Sequence, residues 1–177
     1  EIENFELAYS NYQKAIELKP EKADIYSALG CLYHDIDNLE TAKEYYQKAI
    51  KLDNANGENY INIAYIEQKM GNIEEAIVYY KKAVDINKND SKALLCLANS
   101  YATLKEFDEA QNYFQRVVDI ESNYYSAWVC RAIAYCDNGD NQNAIELLKT
   151  AIELDPNKPN AYILLANVLS DEKIVNL

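Results

Sequence analysis

The chain of 177 residues holds one histidine, four cysteines, four glycines and three prolines, and each shortage removes a class of chemistry. His34 has no serine or cysteine at a spacing that would form a nucleophile and base pair, so it reads as a groove or surface histidine. Cys31, Cys96, Cys130 and Cys136 are widely spaced with no CxxC pair, which argues against a zinc site and against a small disulfide framework. Reduced thiols in a reducing compartment follow, and the expected location is cytoplasmic. The glycines form no phosphate-cradling loop. Apolar runs such as Ala161 to Ala166 fall far short of the ~20 residues of a membrane helix, and no basic-then-apolar leader opens the chain. Cations are scarce too: 17 Lys and Arg face 29 Asp and Glu, a net charge of −12 that repels phosphate backbones and anionic lipid. These absences predict no catalytic set, no metal, no cofactor, no nucleic acid and no membrane as partner. A basic or neutral apolar protein is the better fit.

What the chain has in abundance is tyrosine and alanine, and they recur with a period of 34 residues. Small residues fill one column as Ala8, Ala42, Ala76, Ala110 and Ala144, and four residues later come Tyr12, Tyr46, Tyr80, Phe114 and Leu148. An earlier column reads Tyr26, Tyr60, Leu94, Trp128, Tyr162, followed by Gly30, Ala64, Ala98, Ala132, Ala166. Nine of the sixteen tyrosines sit in such packing columns, which leaves few for a nucleic-acid stacking surface. Within each unit the apolar spacing of three and four, as in Leu39, Ala42, Tyr46, Ala49 and Ile50, marks one face of an α-helix. Each unit contains two such segments. Turn residues Asp37-Asn38, Gly71-Asn72, Lys105-Glu106 and Gly139-Asp140 join them as tight antiparallel hairpins. One hairpin cannot cover its own apolar face, so neighbouring hairpins must stack.

These residues resemble the tetratricopeptide repeat family, whose signature is visible in Tyr26-x2-Leu29-Gly30-x2-Tyr33, Ala42-x3-Tyr46, and again in Trp128, Ala132, Tyr135, Ala144 and Pro156. The resemblance implies an all-α, right-handed α-solenoid of antiparallel helix-turn-helix repeats. In this register residues 1–20 form a lone second helix, 23–56, 57–90, 91–124 and 125–158 full repeats, and 159–173 a lone first helix. Half-repeats at both ends and the lack of an initiator Met suggest an excised fragment of a longer solenoid. Three positions depart from the pattern. Arg131 stands where other units carry Leu29, Ile63, Leu97 and Leu165, Glu67 stands in a Tyr/Leu column, and Asn141 stands where others have Leu39, Ile73 and Phe107. Arg131 calls for a carboxylate or carbonyl partner, or for a snorkelling side chain; a local partner is the plain reading and an anion contact the functional one.

In the family the first helix of each repeat lines the concave face. Its outward columns here are Ser27, Ile61, Leu95, Val129, Ile163 and, four residues on, Cys31, Tyr65, Asn99, Ile133, Asn167. The resemblance therefore nominates Ile61, Tyr65, Leu95, Asn99, Val129, Ile133 and Ile163 as partner-binding residues in an apolar, weakly charged groove. Neither family subtype with a polar groove fits. The carboxylate clamp keeps only Asn62 and Lys92, and the asparagine ladder only Asn62.

The expected function is a protein-interaction scaffold that holds a peptide or amphipathic helix of a partner in this groove. The alternative is a substrate-recognition or regulatory region of a larger enzyme. Self-association through the uncapped terminal helices, with Ile174, Val175 and Leu177 at one end, is a third possibility. If the stripe is exposed, Leu95→Lys or Val129→Glu should abolish binding and shift stability by no more than about 1 kcal/mol; severe unfolding would place those residues in the core.

Overall fold

Each hairpin closes on a residue with positive φ, and these recur at the repeat period: Asp37 (59°), Gly71 (86°), Lys105 (62°) and Gly139 (80°). Around each, the following residue's N–H reaches back to a carbonyl of the first helix's last turn, as Asn38 to Tyr33, Asn72 to Glu67, Glu106 to Tyr101 and Asp140 to Tyr135. This satisfies carbonyls that a helix end leaves orphaned and fixes the reversal. A Lys held left-handed is strained by about 1–2 kcal/mol, whereas glycine is not. Lys105→Gly should therefore stabilise the chain by about 0.5–1 kcal/mol after the entropy gained by the unfolded chain is deducted, measured as a rise in the urea midpoint.

The computed structural model describes the backbone of residues 2–175 and the side chains of residues 4–170. Among the described residues there are ten helices and no strand: α1 Ile2–Leu18, α2 Ala23–Asp35, α3 Leu39–Leu52, α4 Gly57–Lys69, α5 Ile73–Ile86, α6 Ser91–Thr103, α7 Phe107–Ile120, α8 Tyr125–Asp137, α9 Asn141–Leu154 and α10 Pro159–Val175. Side-chain oxygens of Asn38, Asn56, Asp90 and Asp140 accept from first-turn N–H groups of α3, α4, α6 and α9, the usual relief of unpaired N-terminal donors. Pro159 opens α10, where its missing N–H costs nothing. The side chains of Ile174 and Val175, and all of Leu177, lie outside the described residues.

The chain divides into two compact units, Glu1–Lys88 and Asn89–Leu177. In the first, α2 pairs with α3 and α4 with α5, while α1 packs on α2 and α3 on α4. Its core gathers Ala42, Tyr46, Ile63 and Ile66. Gly30 is required here: a Cβ at this position would sit 2.6 Å from the Tyr46 ring. Tyr46 donates from Oη to Cys31 Sγ at 3.3 Å, and burial, then that bond, keeps its phenol protonated well above the usual range. Beside it Tyr33 stacks on Tyr45 at 5.4 Å, with Phe5 and Tyr9 of α1 edge-on to Tyr33. Burial, then Tyr9 and Tyr33, pushes the Tyr45 phenol up to about 12.

In the second unit α6 pairs with α7 and α8 with α9; α7 packs on α8, α9 on α10, and α6 also touches α8. Its core holds Val129, Ala132, Ile145, Leu148, Ala151, Ala161 and Val168. First-helix aromatics tie down the preceding linker in both units. Tyr26 Oη donates to the Pro20 carbonyl and Trp128 Nε1 to the Ser122 carbonyl, each at 2.8 Å.

Candidate functional site

The seven nominated residues separate into buried and exposed sets. Ile61, Leu95 and Val129 are 3%, 8% and 9% exposed, so these three members of the column directly after the aromatic one lie at the core edge, while Ile163 of the same column, on α10, is 57% exposed. The exposed stripe assumed for Leu95 and Val129 is thereby corrected: those side chains support the face and do not project from it. Four residues further on, Tyr65 and Ile133 are 44% and 39% exposed. Asn99 is half-buried.

In the first unit Tyr65 projects from α4 with its ring edge-on to His34 of α2, centroids 5.5 Å apart. Lys69 lies 5.7 Å from the same ring and pairs with Asp37 at 3.2 Å. His34 is thus a packing partner of Tyr65, in keeping with a groove histidine. Cys31 is exposed one turn before His34.

In the second unit two clefts flank Ile133. One, about 310 Å³, is walled by Asn99, Ala102 and Thr103 of α6 and by Cys130, Ile133, Ala134 and Asp137 of α8. The other, about 300 Å³, lies between Val129 and Ile133 of α8 and Asn160, Ile163 and Leu164 of α10. Asn99, Val129, Ile133 and Ile163 are therefore brought to one face of this unit. The sequence columns missed Thr103, Asp137 and Asn160; the first two stand one helical turn beyond Asn99 and Ile133, where the 3.6-residue period would have found them. Burial pushes the Cys130 thiol up despite an opposing hydrogen bond from Asn99, so it is a neutral lining group at physiological pH and no thiolate nucleophile. None of the four cysteines is joined in a disulfide. Among the described residues no group of three His, Cys, Asp or Glu side chains converges as a metal site, and no helix is long and apolar enough to cross a membrane.

Two of the three departures from the repeat pattern have local partners. Arg131, half-buried, donates from Nε to Gln111 Oε1 at 3.0 Å, a side-chain carbonyl one repeat earlier. Glu67 is fully buried, accepts from Asn72 Nδ2 at 2.9 Å and forms an ion pair with Lys43 of α3. Asn141 is the first residue of α9, behind the capping Asp140.

Three family models match the chain: a TPR repeat model over residues 1–37 and 132–171, and tetratricopeptide repeat models over 23–56 and 68–128. The chain is a tetratricopeptide repeat protein. Its fold class is the family's all-α helical repeat solenoid, and its general role is that of a protein-interaction scaffold; family and fold are generally non-catalytic. Among solved structures it is similar to YrrB, described as a TPR protein with an unusual peptide-binding site, at 25% identity and TM-score 0.79 over 92% of this chain and 84% of that one. MamA is similar at 24% identity and TM-score 0.78, covering 86% of this chain and 84% of that one. PilF of Pseudomonas aeruginosa is similar at 20% identity and TM-score 0.76, covering 87% and 70%. The likenesses to MamA and PilF carry the fold alone. No curated protein sequence matches.

Proposed function

We propose that this tetratricopeptide repeat scaffold holds a peptide or amphipathic helix of a partner protein on its first-helix face, with apolar anchors on either side of Ile133. The observation that carries this reading is an isoleucine 39% exposed that forms a wall of two adjacent clefts of about 310 and 300 Å³. A helix presents side chains at i and i+4 about 5–6 Å apart, and an extended strand presents i and i+2 roughly 6.6 Å apart; either spacing straddles one side chain. Asn99, Thr103 and Asn160 offer uncharged hydrogen-bonding groups to a partner backbone, and the Asp137 carboxylate favours a basic residue at that end. Val129 serves as the floor, while Ile133 and Ile163 make contact; within the first unit Ile61 and Tyr65 take the corresponding buried and exposed positions. The description of YrrB as peptide-binding lends support to the same class of ligand.

The test uses the full chain immobilised against a lysate of its source. Ile133→Glu should stay folded, with stability shifted by no more than about 1 kcal/mol, and should lose the protein that wild type captures. Equal capture by wild type and variant would remove the first-helix face of this unit from the function.

A further inference from the structure

A different cleft, of about 260 Å³, opens in the first unit between α3, α4 and α5. Its apolar part is formed by Tyr60 and Ile63 of α4, both buried, with Ile50 and Tyr79 half-buried beside them. Lys51 of α3 and Lys82 of α5 stand at its rim, both exposed. The Lys82 ammonium is held over the two rings, 5.2 Å from the Tyr79 centroid and 6.0 Å from that of Tyr60.

Two observations bear on this pair of cations at one cleft. Four other lysines of the unit have acidic partners, Lys14 with Glu17, Lys22 with Asp24, Lys43 with Glu67 and Lys69 with Asp37, while Lys48 stands over the Tyr26 ring. Among the described residues neither Lys51 nor Lys82 pairs with a carboxylate. The repeat register sharpens the point. The column of Lys51 reads Glu17, Lys51, Asp85, Asp119, Glu153, so this repeat alone reverses an acidic position, while the column of Lys82 is basic in Lys14, Lys48 and Arg116 as well. The result is an uncompensated double cation over an aromatic and aliphatic cleft, in a chain whose net charge is −12.

We infer that this α3/α4/α5 cleft is a docking site for an acidic, apolar segment of a partner protein, an aliphatic side chain entering between Tyr60 and Tyr79 and carboxylates meeting Lys51 and Lys82. Charge complementarity selects this occupant. A basic segment would be repelled at the rim, and a purely apolar one would leave two lysine heads without partners. The site is built largely from second helices of the first unit and shares no residue with the clefts around Ile133.

The experiment is fluorescence anisotropy of the full chain with a short labelled peptide alternating glutamate and leucine, and with its lysine and leucine counterpart. Lys51→Glu restores the acid that the other repeats carry, so it should fold with an unchanged melting midpoint. It should also weaken binding of the glutamate peptide by roughly tenfold or more, as like charges are brought together. Lys82→Gln, which leaves the helix intact, should weaken binding in the same direction, and added salt should do so for wild type. Absence of saturable binding, equal binding of the lysine peptide, wild-type affinity in both variants, or loss through Ile133→Glu with Lys51→Glu unaffected would each overturn the inference.

Discussion

Replacing Lys43 with methionine should destabilise the chain by about 3–5 kcal/mol, the cost of leaving a buried carboxylate without its counter-charge. Glu67 is 0% exposed and stands where the equivalent repeats carry Tyr33 and Tyr101, each stacked on a tyrosine of the second helix. The Lys43 ammonium from the preceding repeat and the Asn72 amide at 2.9 Å are what make the carboxylate tolerable there. The Glu67→Gln change in the Lys43→Met background removes the charge, keeps the shape and retains an acceptor for Asn72, so it should restore most of the loss. Urea titration of wild type, single and double variants measures both. The hydrogen bond to Glu67 is the first cause of a Lys43 pKa raised above 10.5. A cation whose folded pKa lies above its unfolded value stabilises fully below pH 10.5, and this contribution disappears as pH rises through the folded value. The Tyr45 phenol, raised from 10.0 to about 12, acts in the same alkaline window. A Lys43→Met protein as stable as wild type would mean that Glu67 is not held by this pair.

The second large effect contrasts neighbours on α8. Val129 is 9% exposed within the cluster of Ala132, Ile145, Leu148, Ala151, Ala161 and Val168. Val129→Glu forfeits about 1.5–3 kcal/mol of buried apolar side chain and places a carboxylate among the apolar side chains of that cluster, for a total on the order of 4–5 kcal/mol. Against a total stability of about 5–15 kcal/mol that change should largely unfold the second unit, seen as a collapse of the cooperative thermal transition. Ile133→Glu, one turn away, should leave the transition nearly in place. Equal tolerance of both substitutions would contradict the assignment of Val129 to the core and of Ile133 to the face.

The contrast also shows where sequence reading reaches its limit. Residues four apart on a helix point about 40° away from each other, since each residue advances about 100°. That offset separates a core-edge Val129 from a projecting Ile133, and column spacing alone treated both as outward. Helix periodicity and turn chemistry were easier to read, because they depend on local spacing: α2, α4, α6, α8 and α10 begin at Ala23, Gly57, Ser91, Tyr125 and Pro159, one period apart. Glu67 stood out in its column, but its partner Lys43 belongs to another repeat and emerges only when α3 and α4 are packed. Arg131 and Gln111 pose the same problem across α7 and α8. Lys51 was legible in principle as the sole base in an acidic column, yet its meaning depends on Lys82 and the tyrosines that the fold sets beside it.

The most direct test of the account places a photo-crosslinking benzoylphenylalanine at position 133 of the full chain and, in a second protein, at Lys149 on the exposed side of α9, with both irradiated in source lysate. The account predicts a discrete adduct from position 133, suppressed by excess unlabelled wild-type chain, and none from position 149. Adducts from position 149 with none from position 133 would place the partner on the second helices and contradict the proposed first-helix face.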